Sequence, residues 1–199
     1  MRRFSFRPML ELRGRKFKGL RGFAGKPFHP PLTDVTVGAY VIGPVLLIIA
    51  FLFKDSSWAE DAQKAGAWVL LIGGISSVAT ALTGFADWLN TQKGTQVRRM
   101  VNAHAWTMIL LTVIVLFSLW YIFLAEDGEY FSEPTALTAI LSLVIAGLVT
   151  IGGTMGGSLV YDWGFNIETA TDHPVWHPSE RDVIHPHDKP SEAEGVETT

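Results

Sequence analysis

Four stretches of the 199-residue chain are each long and apolar enough to cross a lipid bilayer: roughly 35–53, 65–88, 105–125 and 135–160. A helix rises about 1.5 Å per residue, so about 20 residues span a hydrocarbon core about 30 Å thick. Backbone polar groups find no water in lipid, and a spanning segment must satisfy them internally as a helix. The sequence therefore predicts an all-α membrane protein with four antiparallel transmembrane helices.

The remaining residues predict two polar extensions of one membrane domain. Because 48% of the residues are hydrophobic and the four stretches contain nearly all of them, we expect no second, water-soluble core. The predicted organisation is a basic arm over 1–33, a transmembrane domain over 34–161 and an acidic tail over 162–199. The chain has no cysteine, which excludes disulfides and thiol chemistry. We expect no cleavable signal peptide, because the first 30 residues lack a continuous apolar stretch.

Charge is distributed unevenly about the predicted spans and sets their expected orientation. Residues 1–26 carry nine Lys or Arg and one Glu, a net charge of +8. The connection over 89–104 adds three bases, whereas 126–134 has four acids and no base. Since positively charged loops stay in the cytoplasm, both termini are predicted to be cytoplasmic.

The two extensions differ in composition and in expected partner. Phe and Leu side chains interleave with the bases of the arm, which is typical of a segment on an anionic membrane surface and disfavours a nucleic-acid partner. The tail is acidic and rich in proline, and it is predicted to be extended when alone. Its histidines lack the close, fixed spacing of a zinc site, so no metal site is predicted. They are His173, His177, His185 and His187.

Ionisable and aromatic residues collect at the predicted cytoplasmic ends of the spans. Charged groups at membrane depth are costly unless paired, so they are structural or functional by default. Asp87, on the last turn of the second span, is the sharpest case, and we expect Arg98, Arg99 or His104 as its partner. The predicted structural cluster comprises His29, Asp34, Asp87, Trp88, Arg98, Arg99, His104 and Tyr161.

Local patterns also predict how helices begin and pack. The segment 57–60, Ser-Trp-Ala-Glu, has the form of a capping box, which predicts that the second helix begins there. The fourth span carries Gly152 with Gly156 and Gly153 with Gly157. Small residues four apart favour close approach of helices in lipid.

Two histidines are candidates for holding a cofactor. A bis-histidine haem needs two imidazoles that face each other at one depth, usually from helices. His29 and His104 are the candidates, but Pro30 predicts an extended backbone at His29. We therefore expect both histidines to be hydrogen-bonded structural residues with no cofactor. Haem b or a quinone at this cluster is the alternative.

Motifs in four parts of the chain resemble those of the domain of unknown function 2231 family. They are 25–34 (Gly-Lys-Pro-Phe-His-Pro-Pro-Leu-Thr-Asp), 84–88 (Gly-Phe-Ala-Asp-Trp), His104 and 156–161 (Gly-Gly-Ser-Leu-Val-Tyr). The resemblance covers about residues 24–168 and implies a bacterial four-helix protein of the cytoplasmic (inner) membrane. Some members are fused to Rieske iron–sulfur domains, which implies a link to electron transfer.

The chain departs from the family pattern at three places. Members often have a second histidine three residues before the one matching His29, where this chain has Lys26. Many have His or Glu at the position of Ser158, and the Asn often found after the third-span histidine is replaced by Thr107 and Met108. Each departure removes a possible ligand for haem or a metal.

The sequence contains no recognisable catalytic motif: no Ser–His–Asp set, no glycine-rich phosphate loop and no HExxH. We therefore expect a protein that is not an enzyme. The predicted function is an accessory subunit that docks onto a larger membrane complex, namely one of the respiratory chain. Its expected partners are the lipid bilayer and other integral membrane subunits. The alternative is a small redox membrane protein that binds b-type haem or quinone at the cytoplasmic-side cluster.

Overall fold

The computed structural model describes residues 17–23, 26–124 and 133–167. Within these residues the chain forms one 3-10 turn and four α-helices, each helix long and apolar enough to cross a membrane. The turn is Gly19–Arg21, and the helices are α1 (His29–Leu52), α2 (Ala59–Leu89), α3 (Gln96–Leu124) and α4 (Ala136–Tyr161). The predicted all-α architecture with four spans is confirmed. The cytoplasmic location of the termini stays a prediction.

The helices form a closed ring in which α1 and α3 lie diagonally opposite each other. Both α1 and α3 pack against α2 and α4, and the 3-10 turn packs against α2. We call the end where α1 and α3 begin the arm end, and the opposite end the far end. The core between the helices is mainly aliphatic, and its largest buried members are Tyr40, Leu47, Leu70, Leu111, Ile122 and Ile145.

The helices extend beyond the predicted spans, chiefly at the arm end. Helix α1 begins at His29 and α3 at Gln96, because polar residues can continue a helix into the interface. The prediction of an extended backbone at His29 is therefore wrong. Prolines occupy the first turn of α1, where the amide that proline lacks has no intrahelical partner to lose. The boundary drawn at 34 thus cuts through the first helix.

The capping box predicted at 57–60 does not form at the start of α2. The N-cap of α2 is Trp58, which makes no side-chain capping bond. The amide of Ala59, the first helical residue, bonds to the carbonyl of Ser56. Instead, α4 has a capping box. The amide of Thr138 donates to the hydroxyl of Thr135 at 3.2 Å, and the reciprocal bond is 3.1 Å long.

Candidate functional site

His29 and His104 meet inside the arm end of the bundle. His29 is the first residue of α1, and His104 lies two turns into α3. Their ring centroids are 6.4 Å apart and the ring planes are nearly perpendicular, at 86°. We call these two residues the imidazole pair. The diagonal placement of α1 and α3 therefore brings together the two histidines that the sequence singled out.

Each imidazole is held by a backbone carbonyl of a neighbouring helix. Nδ1 of His29 is 2.9 Å from the carbonyl oxygen of Thr80 and 3.3 Å from the hydroxyl of Thr83. Nδ1 of His104 is 2.9 Å from the carbonyl oxygen of Gly152. A carbonyl only accepts hydrogen bonds, so Nδ1 carries the hydrogen in both rings. In a neutral ring with its hydrogen on Nδ1, Nε2 carries the lone pair that binds metals or accepts protons.

Glycines on the two other helices make room beside the rings. A Cβ atom at Gly84 of α2 would lie 2.7 Å from Cε1 of His29, and one at Gly156 of α4 would lie 3.3 Å from Cε1 of His104. Gly156, which was predicted with Gly152 to let helices approach closely, thus also leaves room for the ring of His104. A Cβ at Gly153, on the other predicted line, would meet nothing within 4 Å.

A cluster of hydroxyl groups joins α1 to α2 next to the imidazole pair. The hydroxyl of Thr36 lies 2.9 Å from that of Ser76 and 3.1 Å from that of Thr80. The Thr80 hydroxyl also lies 3.2 Å from the carbonyl of Leu32. Because the Thr80 carbonyl accepts from His29, these bonds fix the depth and orientation of that ring.

Asp87 lies one helical turn nearer the arm end than Gly84, and it is only 4% exposed. Its Oδ1 accepts from Nδ2 of Asn166 at 2.7 Å and from Nε of Arg21 at 3.4 Å. Arg21 and Asn166 also bond to each other, with Nη2 donating to Oδ1 at 3.2 Å. We call these three residues the carboxylate lock. The lock ties the arm, the end of α2 and the segment after α4 together beside the imidazole pair.

The predicted partner of Asp87 is wrong, since the guanidinium beside this carboxylate is that of Arg21. Arg98 lies over the ring of Trp88, with the guanidinium carbon 3.8 Å from the ring centroid. It donates to the Trp88 carbonyl and to the hydroxyl of Thr91, both at 2.6 Å. Arg98 therefore fixes the turn between α2 and α3, away from the carboxylate.

The remaining residues of the predicted cluster, which are Arg99, Asp34 and Tyr161, lie outside the site. Arg99 is exposed and bonds to the carbonyl of Gly94 and the side chain of Gln96. Asp34 is exposed, and Tyr161 is 86% exposed. The predicted cluster thus separates into four parts: the imidazole pair, Asp87 with new partners, the contact of Arg98 with Trp88 at the α2–α3 turn, and exposed groups.

The sequence analysis missed Arg21 and Asn166, although turn residues mark both positions. Arg21 lies between Gly19 and Gly22, whose φ angles are 62° and 117°. A Cβ at Gly22 would run into the carbonyl of Lys26, so the turn requires glycine there. Asn166 has a φ of 57°, a conformation that Asn adopts more readily than most residues. A Gly-x-x-Gly spacing and a Gly-x-Asn segment after the last span are the available signals.

Several predictions concern residues that lie outside the described ranges. Such residues are 1–16 of the arm, most of the acidic 126–134 connection, and the tail from 168 onward with its four histidines. Across 17–23, 26–124 and 133–167, no group of three or more His, Cys, Asp or Glu is arranged to hold a metal ion.

A family model described as "Predicted membrane protein (DUF2231)" matches residues 25–169. No curated protein and no solved structure matches the chain. The matched region includes the imidazole pair, both flanking glycines and Asp87, whereas Arg21 of the carboxylate lock precedes it. The family resemblance seen in the motifs is thereby confirmed.

Proposed function

Since the chain belongs to the DUF2231 family of predicted membrane proteins, a description that states no activity, we propose a function from the imidazole pair. The protein holds a b-type haem between His29 and His104 and serves in electron transfer. Haem binding at this cluster is the alternative function predicted from the sequence. The main observation behind this proposal is that the two imidazoles, on diagonally opposite helices, have ring centroids only 6.4 Å apart.

The two rings lie close enough for His29 and His104 to serve together as the histidine ligands that a bis-histidine haem requires. The observed separation is 6.4 Å. Both Nδ1 atoms bond to carbonyls, the outer contact that orients histidine ligands. Two histidines suffice as axial ligands, so the family positions at which this chain lacks histidine are not needed.

The surroundings support haem over quinone. Gly84 and Gly156 let the rings of His29 and His104 pack directly against the backbones of α2 and α4, which holds each ring in place. An oxidised quinone needs a hydrogen-bond donor for its carbonyl oxygen, yet each Nδ1–H already donates to the backbone. What remains is a lone pair on each Nε2, which suits a metal. Haem would supply one-electron chemistry at this position, and His29 and His104 would hold it.

The visible absorption spectrum of the purified full chain, produced with added haem precursor, tests this function. We expect a Soret band, with reduced bands typical of a six-coordinate b-type haem. His29→Ala and His104→Ala should each lose or shift these bands, while the matched tail variant His173→Ala keeps them. A folded parent protein without a Soret band, or bands that survive both pair substitutions, would contradict the proposal. The pair would then be a structural link between helices.

A second function, the accessory subunit of a respiratory membrane complex, is favoured by the outer face of α4. Gly147, Thr150, Gly153 and Thr154 are exposed there, and a Cβ at either glycine would meet nothing within 4 Å. In lipid, such a face lets a partner helix approach closely. The basic arm and acidic tail add charged docking elements, and a bacterial cytoplasmic membrane is the proposed location.

Gentle detergent extraction and identification of co-purifying membrane proteins test the accessory role. We expect Gly153→Leu to deplete a partner, whereas Ala81→Leu, at an exposed small residue of α2, leaves it in place. Removal of residues 168–199 should also weaken the association and make the remainder more sensitive to salt, because charge attraction is screened beyond about 8–10 Å. Unchanged co-purification of both the Gly153 variant and the tailless chain would exclude this docking mode.

A further inference from the structure

Two serines toward the far end of the bundle are completely buried, and their hydroxyls make no hydrogen bond to any described residue. Ser118 of α3 and Ser142 of α4 are each 0% exposed. Across 17–23, 26–124 and 133–167, neither hydroxyl oxygen has a hydrogen-bond partner. A hydroxyl that leaves water without gaining a partner destabilises the folded protein, and such groups are rare. The two serines therefore indicate a further polar group between the helices.

Other hydroxyls on the same two helices are satisfied by their own helix. Thr112 of α3 donates to the carbonyl four residues before it at 2.8 Å, and Thr150 of α4 does the same at 2.8 Å. This bond to the preceding turn is a common arrangement for a serine or threonine within a helix. Ser118 and Ser142 depart from it, so each hydroxyl is available to a group outside its own helix.

The packing of α3 against α4 places the two serines opposite each other. Near the arm end, a Cβ at Gly152 would run into Sδ of Met108, and this contact sets the register of the two antiparallel helices. Steps of three and four residues, the repeat of helices that pack along one seam, lead from it along α3 and back along α4. The resulting layers are Leu111 with Val149, Val115 with Ile145, Ser118 with Ser142, and Ile122 with Thr138. All of these side chains are at most 2% exposed, so they form one continuous buried seam.

We propose that a water molecule binds in this seam and bridges the hydroxyls of Ser118 and Ser142. The layers on either side hold only β-branched side chains, whereas each serine has a single oxygen beyond Cβ and takes up less space. Each hydroxyl supplies one hydrogen and two lone pairs, so the pair can both donate to and accept from one water. A buried water needs two to four polar partners, and an apolar site of the same size stays dry.

The water links α3 to α4 at a depth where lipid offers no hydrogen bonds. Ser118 lies six residues before the end of α3, and Ser142 lies six residues after the start of α4, which is about 9 Å of helix in each case. The site is about 21 Å along α3 from His104, so it is separate from the imidazole pair. Near the arm end, His104 joins the same two helices through the carbonyl of Gly152. The α3–α4 seam thus has a polar link toward each of its ends.

Magic-angle-spinning NMR of the full chain in lipid bilayers tests the proposal, with magnetisation transferred from water protons to ¹³C-labelled serine. We expect transfer to Cβ of both Ser118 and Ser142, although neither side chain touches bulk solvent. Ser118→Ala should remove the transfer to Ser142, and Ser142→Ala that to Ser118, because the water needs both hydroxyls. Ser77→Ala is the matched control and should change neither signal, since the Ser77 hydroxyl donates to the carbonyl of Gly74 on its own helix.

The same experiment separates the bridge from other arrangements of the two hydroxyls. A direct bond between the serines, or a bond from each serine to its own helix, gives no transfer in the folded parent protein and would overturn the proposal. Transfer that one serine keeps after loss of the other would overturn it as well, since each hydroxyl would then hold its own water. Should an alanine variant not fold, as judged by circular dichroism, Ser118→Cys and Ser142→Cys take its place, because a thiol is only a weak hydrogen-bonding group.

Discussion

The arm end and the far end of the bundle both fill the space between four helices, but with different kinds of side chain. At the far end, buried aliphatic side chains such as Leu47, Ile122 and Ile145 fill the space between the helices. At the arm end, the corresponding space holds two imidazoles, and beside them lie a carboxylate and a guanidinium. Charged groups near membrane depth are costly unless paired. The far half of the bundle also buries polar side chains such as Gln63, Ser118 and Ser142, but these are uncharged, so the buried carboxylate and the two imidazoles are what distinguish the arm end.

The comparison predicts that damage to the far end affects stability without changing the site. Leu47→Ala should lower the free energy of unfolding by about 2–5 kcal/mol, because it leaves a cavity in the aliphatic core. Leu116→Ala, at a lipid-facing leucine that is 58% exposed, should change it little. Thermal unfolding in detergent measures both, and the visible spectrum of the folded fraction should be the same in the two variants. A spectral change in Leu47→Ala alone would mean that the two ends are coupled.

The carboxylate lock should be the next most sensitive feature. Asp87→Asn should destabilise the protein by about 2 kcal/mol, since it leaves Arg21 without its counter-ion in a half-buried position. Arg21→Gln in the same chain should restore part of the loss, and the double-mutant cycle gives the coupling energy. Glu60→Gln, which breaks the exposed pair with Lys64 at the far end, should have little effect. Strictly additive effects of Asp87→Asn and Arg21→Gln would argue against the lock.

Three glycine substitutions sharpen the account of the imidazole pair. Gly84→Ala should be the most disruptive, with a cost of about 1–3 kcal/mol from overpacking, and Gly156→Ala should be milder. The order follows the closest approach of the added Cβ to an imidazole, 2.7 Å and 3.3 Å respectively. Gly153→Ala meets nothing within 4 Å and should be neutral or slightly stabilising, since alanine favours helix. Equal melting of all three variants would show that the rings have room to move.

The smallest expected effect concerns the start of α4 at the far end. Thr135→Ala should cost about 1 kcal/mol, because it removes the capping bond to the amide of Thr138. Ser57→Ala should cost almost nothing, since α2 has no side-chain cap. Thermal melting of the two variants side by side measures the difference. A larger loss for Ser57→Ala would mean that the capping box predicted from the sequence forms after all.

The four spans were predictable from sequence because hydropathy alone forces a helix in lipid. His29, His104 and Asp87 were also singled out correctly as residues at one end. The meeting of the two histidines was not predicted, because the extending effect of Pro30 was given more weight than the tolerance of proline in a first helical turn. The partners of Asp87 were missed because Arg21 and Asn166 lie in turns 66 and 79 residues away in sequence. Hydrophobic periodicity carries no information on where such turns fold.

Electron paramagnetic resonance of the oxidised, full-length protein tests the central claim most directly, because it reports the ligands of a haem iron. We predict a low-spin ferric signal from two imidazoles. It should be strongly anisotropic, because the ring planes of His29 and His104 are nearly perpendicular. The signal should disappear in His29→Ala and in His104→Ala and persist in His173→Ala. A folded parent protein that gives no low-spin haem signal, or one that keeps it after loss of either histidine of the pair, would contradict the account.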